Sequence, residues 1–476
     1  MHTTTPLLAA LLSASTCTAA AHGRRDDAPR VVSMRTRKEP ITSSHLDRRN
    51  TNNTLDIGLT NQKILYTVEA SMGTPPQKIV LQLDTGSADL WIPAANWCEN
   101  DAAEVQDGPQ ACKAFGSYSA NDSSTYEYLN SNLVLGYVDN SRTTGDFATD
   151  VFTIGGVSVQ DMQFGIGYNI STDGFTGGII GISYANDEGG VIEGVATSYP
   201  NFPAVLVNDG LIRSQAYSLY LDSAESHDGT VLFGGIDTER FEGQLQTVSI
   251  IADNGVYRDL QIALDSISVS GGPSLGPDGE ALVALLDSGT SYTYIPDDII
   301  TPIYDQFSIT YDNSSSNSYV DCDLGNQNTS IIFSFSGANI SVPMSEVVLD
   351  SNTYAKGGSK TGQSGICAFG ILPMSGLSLT SPILGDTFLR SAYVVYDLDN
   401  NEISLAQARY NAGTESNILE IGEGPNAVPQ ATGTGSGSGG TPDSGNGNAA
   451  AGLVAVTQVT WAVALLHLAA LGWAAL

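Results

Sequence analysis

Histidine and positive charge are both scarce in this chain of 476 residues, which carries 5 His and 19 Lys+Arg against 51 Asp+Glu, a formal net charge of -32. So acidic a chain has no basic face with which to neutralise a phosphate backbone, which excludes nucleic acid as a partner. Four of the His, at 2, 22, 45 and 467, lie in the terminal segments, and His227 stands in Ser226-His227-Asp228-Gly229, which reads as a turn. There is therefore little basis for a Ser-His-Asp or His-metal mechanism, and no H-E-x-x-H or Walker loop is present. No metal or organic cofactor is called for. C-x-x-C is also missing from the 5 Cys, so a zinc site is disfavoured. Long amphipathic periods are rare: between Asn61 and Tyr410 short β-branched and aromatic runs alternate with Gly, Asn, Asp and Ser, which predicts mainly β structure.

What is present begins at the ends. Residues 1–21 read as a secretory signal, with an apolar stretch around Leu7 to Ala14 and an A-x-A site at Ala19-Ala20-Ala21. Residues 22–49 hold eight Lys/Arg against four acids and end in Arg48-Arg49, which predicts a basic prosegment cleaved at the dibasic pair. Without residues 1–49 the chain carries 11 Lys/Arg and 47 Asp/Glu, a net -36. At the far end a Gly/Ser-rich linker is expected over 416–448, followed by an apolar tail with no basic residue after Arg409. That pattern fits a glycosylphosphatidylinositol (GPI) signal, with attachment near Asn448 and removal of 449–476. Once Cys17 leaves with the signal, Cys98, Cys112, Cys322 and Cys367 form an even set in an oxidising route. Three pairings are possible, and local loop closure favours Cys98 with Cys112 and Cys322 with Cys367. N-glycosylation sequons start at Asn52, Asn121, Asn169, Asn313, Asn328 and Asn339.

The body repeats itself. Val80-Leu-Gln-Leu-Asp84-Thr85-Gly86-Ser87-Ala-Asp-Leu-Trp91-Ile92-Pro93 aligns without a gap to Val283-Ala-Leu-Leu-Asp287-Ser288-Gly289-Thr290-Ser-Tyr-Thr-Tyr-Ile295-Pro296, with six of fourteen positions identical. Ile179-Ile180-Gly181 lies 97 residues after Asp84, and Ile383-Leu384-Gly385 lies 98 after Asp287. Two related lobes are predicted, 50–245 and 246–415.

Two aspartates on matched turns, brought face to face by pseudo-two-fold packing, cannot both ionise readily and hold one proton between them. One carboxylate then deprotonates a bound water as it attacks a peptide carbonyl, while the protonated partner supports the oxyanion.

On these motifs, together with Gly73-Thr74-Pro75-Pro76-Gln77, Leu232-Phe233-Gly234-Gly235-Ile236-Asp237 and Ile383-Leu384-Gly385-Asp386-Thr387-Phe388, the body resembles a pepsin-type aspartic endopeptidase. In layout it is similar to the GPI-anchored yapsin-type fungal enzymes. The resemblance implies a bilobed β fold with a cleft between the lobes and Asp84 and Asp287 as the catalytic pair. It implies that Thr85 and Ser288 tie the two loops, that Ser87 and Thr290 bond the outer carboxylate oxygens, and that Gly86 and Gly289 shape the turns. Tyr137 matches the flap tyrosine and Trp91 its support, although Val138 stands where the family has Gly. Asp139 at the flap tip suggests a preference for Lys or Arg beside the scissile bond. The implied protein is a monomer at the cell surface, acting on proteins or peptides and held as a zymogen by its own prosegment.

Overall fold

The computed structural model describes residues 31–35, 54–55, 59–61, 65–100, 108–171, 177–226, 228–276, 281–349, 365–377 and 379–433. His227, Asn52, Asn448 and the expected signal and tail lie outside them.

Strands with one wet face alternate as their sequence does. In Ser330–Phe335 the side chains of Ile331, Phe333 and Phe335 turn inward, and the strand pairs with Ala338–Pro343. Gly337 closes that hairpin at a φ of +101°, which L side chains rarely adopt. Strands inside the molecule are buried on both faces, and every residue of Gly178–Gly181 and Ala392–Asp397 is buried.

The largest sheet runs from Phe241–Ser249 through Glu402–Ala408, Ala392–Asp397, Ala216–Tyr220 and Asp228–Phe233 into Tyr66–Met72 and Gln77–Asp84. It therefore draws strands from both halves of the chain, while the second half adds a five-stranded sheet containing Leu282–Leu286. The expected lobe boundary at 245/246 falls inside Phe241–Ser249, which pairs with Glu402–Ala408. The two lobes thus share a sheet where the sequence suggested a break.

The matched repeat has a structural cause. Gly178–Gly181 lies parallel to Gln77–Asp84, with Gly181 opposite Asp84, and antiparallel to Leu90–Pro93. In the second lobe Ile383–Leu384 lies parallel to Leu282–Leu286 and antiparallel to Thr293–Ile295. Each apolar-apolar-Gly unit thus fills the gap between the two arms of an Asp turn. A methyl on Gly181 would meet the Ala88 nitrogen at 2.5 Å, and one on Gly385 would strike the carbonyls of Thr290 and Tyr292. Glycine is needed there because the turn backbone passes so close.

Both favoured disulfides are formed, Cys98–Cys112 and Cys322–Cys367. Asn121, Asn169, Asn313, Asn328 and Asn339 are all exposed. Among the described residues no helix is long and apolar enough to cross a membrane.

Two segments are more integrated than their composition suggests. Val31–Arg35, inside the expected prosegment, pairs antiparallel with Asp228–Phe233, and Val31, Val32 and Ser33 are buried. The linker expected from 416 begins later, because the chain stays packed to Gly433. Ile418–Glu420 pairs with Gly235–Asp237, Ala431–Thr432 pairs with Leu245–Gln246, and Ile421 and Val428 bury beside Leu245 and Tyr393. The Gly and Pro count hid these few apolar anchors. Burying Ile421 and Val428 contributes about 1.5–3 kcal/mol each. A chain ending at Glu415 should therefore unfold at lower denaturant than one ending at Gly433, measured by urea titration; equal midpoints would mean that 416–433 is only a linker.

Candidate active site

Each Asp turn is held from within. Asp84 Oδ1 accepts the Gly86 N–H at 2.8 Å and its Oδ2 accepts the Ser87 hydroxyl; Asp287 Oδ1 accepts the Gly289 N–H at 2.7 Å and its Oδ2 the Thr290 hydroxyl. Four further bonds tie one turn to the other. Thr85 Oγ1 donates to the Leu286 carbonyl (2.9 Å) and accepts the Ser288 N–H (2.9 Å), while Ser288 Oγ donates to the Leu83 carbonyl (3.0 Å) and accepts the Thr85 N–H (3.2 Å). Both hydroxyl residues are fully buried, so their partners are protected from competing water.

This exchange places each carboxyl against the opposite turn. A methyl built on Gly86 would stand 2.6 Å from Asp287 Oδ1, and one on Gly289 would strike Asp84 Oδ1. Asp84 and Asp287 are 5% and 6% exposed, so the pair is nearly shut off from bulk solvent. Burial, and then the charge of Asp287, push the Asp84 carboxyl well above the usual carboxylate range. The arrangement is a buried carboxyl pair in which one member stays protonated at a pH that ionises free aspartate.

Above it hangs the hairpin formed by Glu127–Gly136 and Arg142–Ile154. Tyr137 at its tip accepts the Trp91 indole N–H on its hydroxyl at 2.8 Å. The tip closes without glycine at 138: Asn140 takes the left-handed conformation at φ +67°, and the Val138 side chain points out at 53% exposure. Asp139 is exposed and folds back on Ser141, accepting its N–H at 2.9 Å and its hydroxyl at 2.6 Å. Its charge still reaches Tyr294 on the second lobe, adding to the burial that raises that phenol.

Sequence reasoning overlooked several neighbours. Asp89 accepts the Tyr199 hydroxyl and the Gly189 N–H, both at 2.7 Å, and so fixes the segment beside the flap. Glu188 accepts the Tyr199 N–H at 3.1 Å. Gln82 donates from Nε2 to the Gly289 carbonyl at 2.8 Å, across the lobes. A signal existed for two of these: Gln82 and Asp89 are positions where the aligned repeats differ in chemistry, standing against Leu285 and Tyr292. Another pattern carries no chemistry. Gly272-Pro273-Ser274-Leu275-Gly276 has the spacing of a nucleophile elbow, but Ser274 is exposed and pairs with Ser268 in a hairpin.

Comparison with known proteins agrees with this geometry. The family model for eukaryotic aspartyl protease matches residues 65–408. The chain is 41% identical over 435 residues to a probable aspartic-type endopeptidase, opsB, of Aspergillus oryzae, covering 90% of this chain and 85% of that protein. It is 41% identical over 414 residues to the opsB protein of Aspergillus fumigatus, covering 85% and 82%. Candidapepsin-3 of Candida albicans is 36% identical over 372 residues, covering 77% and 85%. With its bilobed β fold and these relatives, the chain belongs to the eukaryotic aspartyl protease family and is an aspartic-type endopeptidase.

Proposed function

We propose that Asp84 and Asp287 are the catalytic pair and that they share one proton around a nucleophilic water. The observation that carries this reading is the mutual approach of the two buried carboxyls across the Thr85–Ser288 exchange. The ionised member takes a proton from the water as it attacks the scissile carbonyl; the protonated member donates to the developing oxyanion, and a proton then passes to the leaving nitrogen. Ser87 and Thr290 each donate to an outer oxygen, and each inner oxygen, which accepts one glycine N–H, keeps a lone pair for the water. Tyr137, held by Trp91, covers the bound peptide and limits solvent entry.

Asp139 is proposed to favour Lys or Arg beside the scissile bond, supported by its place at the flap tip and its electrostatic reach to Tyr294 on the facing lobe. On a diverse peptide pool at acidic pH, cleavage should be blocked by a statine-type transition-state mimic. It should be absent in Asp287→Asn and shifted away from Lys in Asp139→Ala. Cleavage surviving in Asp287→Asn would refute the pair, and an unchanged Lys share would refute the specificity reading.

The working range is proposed to be acidic. Asp84, Asp89, Asp187 and Asp386 are buried acids whose carboxyls burial raises, and Glu188 is pushed up to about 9. Each binds its proton more tightly folded than unfolded, so its contribution is complete below the unfolded value near 4 and is lost as pH rises toward the folded one. Urea midpoints should therefore fall between about pH 4 and pH 8. A midpoint that rises over that range would contradict the burial of protonated acids.

Secretion, removal of residues 22–49, glycosylation and GPI attachment near Asn448 complete the proposal. The exposed sequons support the sugars, and the charge contrast of 8 Lys/Arg and four acids in 22–49 against -36 in the remainder supports a prosegment that inhibits its own enzyme. Buried Val31 and Val32 imply that strand pairing and apolar contact, as well as charge, retain it. Mass and terminal sequencing of the membrane and culture fractions should give a chain starting after Arg49, carrying sugars and a lipid near Asn448. A secreted chain retaining 22–49 and 449–476 would overturn this maturation scheme.

A further inference from the structure

We infer that Gln82 is a positioning residue that locks the Asp287 turn from the opposite lobe, an inference that rests on the catalytic role proposed for the pair. Gln82 is two residues before Asp84 on the same strand, so both side chains leave one face of it. It is 7% exposed, and its Nε2 reaches the Gly289 carbonyl at 2.8 Å. The N–H of the same glycine donates to Asp287 Oδ1 at 2.7 Å. Gly289 is thus gripped on both sides, by the carboxyl it orients and by a side chain of the other lobe.

Among the described residues nothing equivalent acts in reverse. The position matching Gln82 in the second lobe is Leu285, which has no donor to offer the Gly86 carbonyl. The Thr85–Ser288 exchange is nearly symmetric, so the Gln82 bond is an asymmetric addition to it. It restrains the turn of Asp287 and leaves the turn of Asp84 without a matching brace. The Gly289 carbonyl shares its peptide plane with the Thr290 N–H, which donates to the Asp287 carbonyl at 3.4 Å; freed at that carbonyl the plane can rotate, shifting Thr290 and the hydroxyl it donates to Asp287 Oδ2. Loss of the brace should act on the chemical step, where the carboxyl separation matters, more than on peptide binding.

The group has few charged neighbours. Its partners on the flanking strands are Thr67 and Ile179, neither of which titrates; the acids facing it are Asp84 on its own strand and Asp287 on the turn it holds. A glutamate at 82 would be pushed up by burial and by both acids. While protonated it can donate to the Gly289 carbonyl as the amide does; once ionised it can only repel that oxygen.

The test compares purified, activated Gln82→Leu, Gln82→Glu and Asp287→Asn with the wild type, from pH 3 to pH 7, on one peptide. Gln82→Leu should lose about tenfold in kcat with KM little changed, and its ratio to wild type should be flat with pH. Gln82→Glu should approach wild type at the acid end and fall below it as pH rises. A Gln82→Leu enzyme with wild-type kcat, or a Gln82→Glu ratio that does not change with pH, would overturn the inference. If Gln82→Leu does not fold, the Gln82→Glu ratio decides alone. An active Asp287→Asn would instead overturn the underlying catalytic reading, so the two failures are distinguishable.

Discussion

Everything at this site depends on one exchange of hydrogen bonds. Thr85 and Ser288 each donate to a carbonyl just before the other's Asp and each accept the other's N–H, in a place with no water to compete. Two turns from distant parts of the chain become one rigid unit, and their carboxyls are forced together. The cost is electrostatic: two acids in a poorly solvated space cannot both be charged. In the proposed mechanism that cost is the useful property, because it keeps an acid and a base side by side at a single pH.

The rest of the molecule supports that unit from behind and from above. The sheet shared by both lobes joins them by continuous strand pairing, and the apolar-apolar-Gly strands fill the space within each turn. Above, the Trp91–Tyr137 bond fixes the flap to the same strand arm that leaves Asp84. The large acidic excess fits this design. Among the described residues ion pairs are few, and Arg390 with Glu346 is a deeply buried one. For buried acids such as Asp84, Asp89 and Glu188, which burial raises, protonation rather than ion pairing relieves the cost of burial.

Much of this was legible in the sequence because two copies of a motif report on each other. Asp84 and Asp287, the hydroxyls that follow them and the mainly β fold were readable from spacing and residue type, while the flap came from the resemblance to pepsin-type enzymes. The sheet common to both lobes was not, since pairing of Phe241–Ser249 with Glu402–Ala408 depends on contacts far apart in the chain. Composition misled at 416–433, where Ile421 and Val428 anchor a stretch that otherwise reads as linker. Gln82 and Asp89 escaped notice because attention to a repeat falls on what the copies share. Their importance lies in where the copies differ.

Titration of the aspartate carboxyls by carbon-13 NMR, with Asp287→Asn used to assign the pair, tests the shared proton most directly. The account predicts two well-separated steps in the wild type, with the upper one far above the usual aspartate range and lost in the variant. Two carboxyls titrating together near pH 4 would show that the turns do not hold them face to face, and would contradict the account.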